Sequence, residues 1–118
     1  MIHHISIPAR DPEHVARVLA ELMQGYSGPF VGPIPGAFAV YAGDEHGTGI
    51  EVYPEDTLLV PDDDRGTTGM RQPGAQLAPA PFHALISVPA DRADIERIGL
   101  REGWRTHHYW RGPPGVKL

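Results

Sequence analysis

Three side chains in this sequence have the types and placement to hold a divalent metal: His4, Glu51 and His83. Each falls in the middle of a short segment that alternates apolar and polar residues, the period of a half-buried strand. In residues 2–8, His4, Ser6 and Pro8 share one face, while His3, Ile5 and Ile7 share the other. In 48–53, Ile50 and Val52 oppose Gly49, Glu51 and Tyr53; in 82–88, Ala84, Ile86 and Val88 oppose His83, Leu85 and Ser87. Two imidazoles and one carboxylate on faces turned away from the packing surface form a 2-His-1-carboxylate set. Such a set suits Fe(II), Zn, Ni, Mn or Co and leaves positions open for water or substrate. The competing reading is that these are hydrogen-bonded structural histidines.

The elements that position these residues follow from the same periodicities. Asp11 is a good N-cap and Pro12 fits the first helical position, where no donor is needed. Val15, Val18, Leu19 and Leu22 continue as an amphipathic stripe, with Gly25 as its stop. That stripe is expected to pack on the Ile5/Ile7 face, leaving the His4 face open. Residues 28–36 hold three prolines and allow at most a short edge strand. Residues 37–42 read as a strand, 43–47 as its turn and 48–53 as the next strand, giving a β-α-β-β-β order. Residues 54–81, with their acidic triple Asp62, Asp63 and Asp64, read as a long connection.

The pattern then restarts. A strand over 82–88 leads to Asp91 as a second N-cap, with Asp94 in the first turn and Ile95 and Ile98 as a short stripe. Gly103 ends that helix, and 104–110 read as a strand. His3 is expected to be packed or hydrogen-bonded, His14 to sit on the solvated helix face, His46 to lie in a turn, and Tyr53 to form a wall beside Glu51.

Composition bounds the possibilities. The chain has 118 residues, 41% of them hydrophobic and 21% charged, enough for one domain and one core. A net charge of -5 gives no basic footprint for nucleic acid. There is no cysteine, so disulfides and thiolate metal sites are excluded, which fits a reducing cytoplasm. No apolar run reaches the length of a membrane span and no secretory signal is visible, so a cytoplasmic protein is the expectation.

Residues 4–11 (His-Ile-Ser-Ile-Pro-Ala-Arg-Asp), 49–53 (Gly-Ile-Glu-Val-Tyr) and 82–88 (Phe-His-Ala-Leu-Ile-Ser-Val) together resemble the vicinal oxygen chelate superfamily. That group includes glyoxalase I, bleomycin resistance proteins and extradiol dioxygenases. The resemblance spans about residues 1–110 and implies an α+β fold in which paired βαβββ modules form a cupped mixed sheet. Module one would be 1–53, the connecting loop 54–81 and module two 82–118. The resemblance selects His4 over His3, since the metal histidine of that opening stands seven residues before the acidic cap. It places Glu51 and His83 at the other ligand positions and gives Glu51 a second role as proton-transfer base. It implies a homodimer acting on a small substrate chelated through neighbouring oxygens, by lyase, isomerase or oxygenase chemistry.

One departure stands out. Members of that group end with two further strands, the last carrying another ligand glutamate, and this chain stops at Leu118. Module two is therefore expected to be incomplete after β-α-β. A truncated chain, exchange with a partner chain, and a site with three protein ligands are the open alternatives. His107 and His108 are substitute ligands of which only one can face the site. The missing carboxylate weighs against ring-cleaving dioxygenase chemistry. The alternative function is a metal-free dimeric protein that sequesters a small molecule.

Overall fold

The computed structural model describes residues 1–32 and 34–108. These described residues form an α+β architecture: a mixed four-stranded sheet, a separate two-stranded sheet and two helices. Strand β1 (His4–Ala9) leads into helix α1 (Pro12–Met23), followed by β2 (Tyr26–Pro29), β3 (Phe38–Tyr41) and β4 (Gly49–Pro54). The sheet order is β1-β4-β3-β2; β1 runs parallel to β4, and the other neighbours are antiparallel. The β-α-β-β-β order expected for the first half of the chain is the order observed.

Helix α1 begins as the sequence requires. Asp11 Oδ1 accepts from His14 N at 3.1 Å, Pro12 opens the helix, and Glu13 places a carboxylate at the positive end of its dipole. The buried centre of its stripe is Ala16, Ala20 and Met23, with Val15 and Leu19 flanking it. These pack on Val40, Ile50 and Val52, with Ile5 and Ile7 at the margin. Alanine at two central positions lets the helix lie close to the sheet. The turn out of the helix uses Gln24, not Gly25, in the left-handed region at φ 51. Gly25 is needed for a different reason: a Cβ there would run into the Tyr41 carbonyl oxygen.

The long connection expected over 54–81 contains regular structure instead. Strands β5 (Thr57–Asp62) and β6 (Gly66–Arg71) form an antiparallel hairpin, in register from Thr57↔Arg71 to Asp62↔Gly66. Its turn is built from the acidic triple. Asp62 Oδ1 accepts from Asp64 N at 3.0 Å and Arg65 N at 2.8 Å, and Gly66 takes φ 75 to rejoin the ladder. The Asp and Gly residues that suggest a break are turn chemistry between two short strands, and Pro61 lies within β5 opposite Thr67.

Residues 82–88 differ in the opposite sense. They hold no strand among the described residues, and Leu85 is 81% exposed. Alternation reports which side chains share a face, but a strand exists only where a partner accepts its ladder bonds. Residues 104–108 likewise have no regular structure, and the rest of the expected 104–110 strand lies outside the described residues. Of the second β-α-β unit, only helix α2 (Arg92–Glu102) is formed among the described residues. It is capped as expected: Asp91 Oδ1 accepts from Asp94 N at 2.8 Å, and Gly103 ends it at φ 68.

A charged seam joins the two helices. Arg101 grips Glu21 with two bonds of 3.0 and 2.7 Å, and His14 Nε2 lies 2.6 Å from Glu102 Oε2. His14 lies on the solvated helix face as expected, its side chain 43% exposed, and is also paired across the seam. Hydrogen bonds from Arg101, and for Glu102 also the His14 bond, hold the Glu21 and Glu102 carboxyls below their usual range. No helix among the described residues is long and apolar enough to cross a membrane.

Two expectations follow. Gly25→Ala should lower the urea-unfolding free energy by about 2 kcal/mol. Gly28→Ala, where a Cβ meets nothing within 4 Å, should change it by no more than about 0.5 kcal/mol. A folded-state carboxyl pKa below the unfolded value contributes stability above the ordinary carboxylate range and loses it as pH falls through the lowered value. Thermal melts should therefore show wild type losing its margin over Arg101→Ala as pH drops through that range, or as salt is raised at neutral pH.

Candidate functional site

The pairing of β1 with β4 builds the site. The register sets Ser6 beside Glu51, His4 beside Gly49 and Pro8 beside Tyr53. Because Ile5, Ile7, Ile50 and Val52 turn toward α1, alternation sends His4, Ser6, Glu51 and Tyr53 to the opposite face together.

On that face Glu51 is the hub. Ser6 Oγ donates to its Oε2 at 2.9 Å, and the Tyr53 hydroxyl donates to the same oxygen at 3.2 Å. The other oxygen, Oε1, stands 3.6 Å from His4 Nε2. The carboxylate is largely buried, its side chain 18% exposed, whereas the His4 side chain is 61% exposed. One oxygen is therefore fixed by two hydroxyls while the other faces an accessible imidazole.

Tyr53 is itself held firmly. It is buried with Ile34 and Ala37, and Phe30 meets its ring edge-on at a centroid distance of 6.2 Å. The segment after β2 thus folds over this face, and Phe30 N closes it by donating to Ala37 O at 3.0 Å. Burial, reinforced by the neighbouring Glu51 charge and the hydrogen bond to it, pushes the Tyr53 phenol up to about 12.

Beside Ser6 and Tyr53 lies a cleft of about 140 Å³, completed by Ile7, Pro8, Thr57 and Leu59. Strand β5 forms its outer wall. The Thr57 hydroxyl is buried and has no hydrogen-bond partner among the described residues.

The structure thus brings His4 and Glu51 together. It does not bring His83 to them: His83 lies exposed in the irregular stretch before α2. Among the described residues no three His, Asp or Glu side chains are gathered to hold a metal. His107 and His108 line a separate cavity beside α2, with Arg92, Ile95, Glu96 and Thr106. His3 Nδ1 donates to the His46 carbonyl at 2.7 Å, the hydrogen-bonded role expected of it. Ser6 and Tyr53 as anchors of Glu51, and Thr57 in the cleft, are what sequence reasoning missed. The first two were accessible from face-sharing once the β1–β4 register is known; Thr57 was hidden inside the supposed loop.

The donors that are present fit a metal in one respect. Two ligands about 2.1 Å from one ion at the tetrahedral angle of about 109° lie about 3.4 Å apart, a little under the 3.6 Å His4–Glu51 separation. A ligating carboxylate is also normally oriented by hydrogen bonds of the kind Ser6 and Tyr53 supply. Comparison with protein-family models, with curated proteins and with solved structures gives no match to this chain.

The raised phenol predicts an alkaline transition. A folded pKa above the unfolded value means stability is full below about pH 10 and is lost as pH rises toward 12. Tyrosinate absorbance should show Tyr53 ionising near pH 12, and Tyr53→Phe should remove that component. A Tyr53 midpoint at the ordinary value would contradict this environment.

Proposed function

We propose that this chain is a metal-dependent enzyme of the vicinal oxygen chelate type, with His4 and Glu51 as the two ligands contributed by its β1–β4 face. The observation that carries the reading is Glu51 Oε1 standing 3.6 Å from His4 Nε2 while Ser6 and Tyr53 secure the other oxygen. When bound, a divalent ion (Zn, Ni, Fe, Mn or Co) supplies Lewis-acid polarisation to neighbouring oxygens of a small substrate. His83 is the proposed third ligand; it would have to be carried in by the 82–88 segment of this chain or of a second copy.

The chain's own residues have defined tasks in this reading. Ser6 and Tyr53 donate to Oε2 and fix the carboxylate plane, so that Oε1 presents one lone pair toward His4. Glu51 would hold the ion through Oε1, and its carboxylate would also be the base that takes a proton from substrate. Phe30 and Ile34 pack Tyr53 in place and so steady its hydrogen bond to the carboxylate. The reaction is of lyase, isomerase or oxygenase type. A homodimer in the cytoplasm is part of the proposal; the exposed apolar side chains Ile2, Phe82, Leu85 and Ile86 support association.

A metal-free small-molecule binding protein is the second reading. It is favoured by the dispersed placement of His83 relative to His4 and Glu51.

Calorimetric zinc titration of the purified protein separates the two. Under the enzyme reading wild type binds one equivalent, His4→Ala and Glu51→Gln abolish it, and Ser6→Ala weakens it by about tenfold or more. Wild type that takes up no divalent ion contradicts the metal reading and leaves the binding protein. Equal uptake by wild type and both ligand variants overturns the assignment of His4 and Glu51.

A further inference from the structure

We propose that the polar cleft where the β1–β4 ladder meets the β5–β6 hairpin binds a small zwitterion of the α-amino acid type. The carboxylate of the ligand sits on the Arg71 and Arg10 guanidinium groups, and its ammonium on Glu55. The lining of this cleft includes neither His4 nor Glu51, and the proposal does not rest on a metal.

The cleft is built by the ends of two ladders. The parallel pairing of β1 and β4 stops at Ala9↔Pro54, so Arg10 and Glu55 leave the sheet side by side, Arg10 Nε lying 3.6 Å from Glu55 Oε2. The hairpin opens two residues later at Thr57↔Arg71, and Gln72 N donates to the Asp56 carbonyl at 2.7 Å. Pro73-Gly74 then turns the chain, with Gly74 at φ 84 and Ala75 N donating to Gln72 O at 3.1 Å. Leu77 N donates to Glu55 Oε2 at 3.0 Å and ties the returning segment to the β4–β5 turn. These residues enclose about 300 Å³, the lower end of the range for small-molecule sites.

Hydrogen-bond inventory shows what is left for a ligand. Each arginine engages its carboxylate through Nε: Arg71 with Asp56 Oδ1, Arg10 with Glu55 Oε2. The Nη groups of both have no partner among the described residues, and both side chains are exposed. Two Nη groups of one guanidinium match the two oxygens of a carboxylate. Glu55 is divided in the same way. Its Oε2 is engaged by Leu77 N and Arg10, while Oε1 has no partner among the described residues. Oε1 is not among the buried unpartnered atoms, so it is open to solvent.

Charge selects the ligand class. Two guanidinium groups and two carboxylates line the cleft, and their formal charges cancel. A simple anion gains the arginines but meets Glu55 and Asp56, and a simple cation meets the reverse. A molecule with both charges on one carbon pairs with both signs and leaves the balance intact. Because these groups are accessible to water, an affinity of about millimolar is expected.

L-serine is the probe, with N-acetyl-L-serine lacking the ammonium and L-serinamide lacking the carboxylate. At about pH 6, where both free amines are protonated, millimolar L-serine added to metal-free protein should move the amide signals of Glu55, Arg71, Gly74 and Gln76. Each analogue should bind about fivefold more weakly. Glu55→Gln keeps an acceptor for Leu77 N; it should weaken L-serine about fivefold yet leave N-acetyl-L-serine bound at least as well as in wild type. No shifts at the cleft with L-serine, or binding of either analogue as tight as that of L-serine, would overturn the proposal on wild-type protein alone. Unchanged L-serine affinity in Glu55→Gln would overturn it equally.

Discussion

The parallel ladder between β1 and β4 is the constraint on which the candidate site depends. Burying Ile5, Ile7, Ile50 and Val52 under α1 fixes which face of both strands is packed. A slip of one residue in either strand would reverse its faces, exposing the packed side chains and burying the polar ones. The register is therefore enforced by the core, and the polar set inherits it. Ser6 meets Glu51 because Ile5 and Ile7 must meet the helix.

The site is asymmetric as a result. Tyr53 is packed against Phe30, Ile34 and Ala37, while His4 stands near the sheet's β1 edge and is largely exposed. The carboxylate thus lies between a packed anchor and an accessible imidazole. Simple pairing of His4 with Glu51 at 3.6 Å would be a weak surface interaction and would not need two hydroxyls to orient it. The two hydroxyls are better explained as fixing a direction for Oε1.

Much of the first half was legible because each signal there is local and repeated. Asp11-Pro12 starts a helix, the α1 stripe has the right period, and a proline-rich stretch that allows a short edge strand is followed by two strand segments, so the β-α-β-β-β order and the shared face of His4 and Glu51 could be read directly. Helix α2 was equally plain between Asp91 and Gly103. The β5–β6 hairpin was hidden because Pro61, Gly66 and the acidic triple look like breaks, whereas Asp62 uses its side chain to build the turn. At 82–88 the failure runs the other way. The alternation is as good as that of β1, but no described strand offers it a ladder, and pairing is a property of the whole fold. His83 went astray with that segment, which is why one member of the expected triad is separated from the other two. The partner of His14 was not legible for a similar reason: only the docking of α2 brings Glu102 beside it.

The central claim is that Oε1 of Glu51 and Nε2 of His4 are ligands of one ion. Nitrogen-detected NMR of the His4 imidazole during zinc addition tests it at the atom concerned. The His4 Nε2 resonance should move to a metal-bound position in wild type and stay put in Glu51→Gln at the same zinc concentration. A His4 Nε2 signal unmoved in wild type, or moved equally in both proteins, would contradict it.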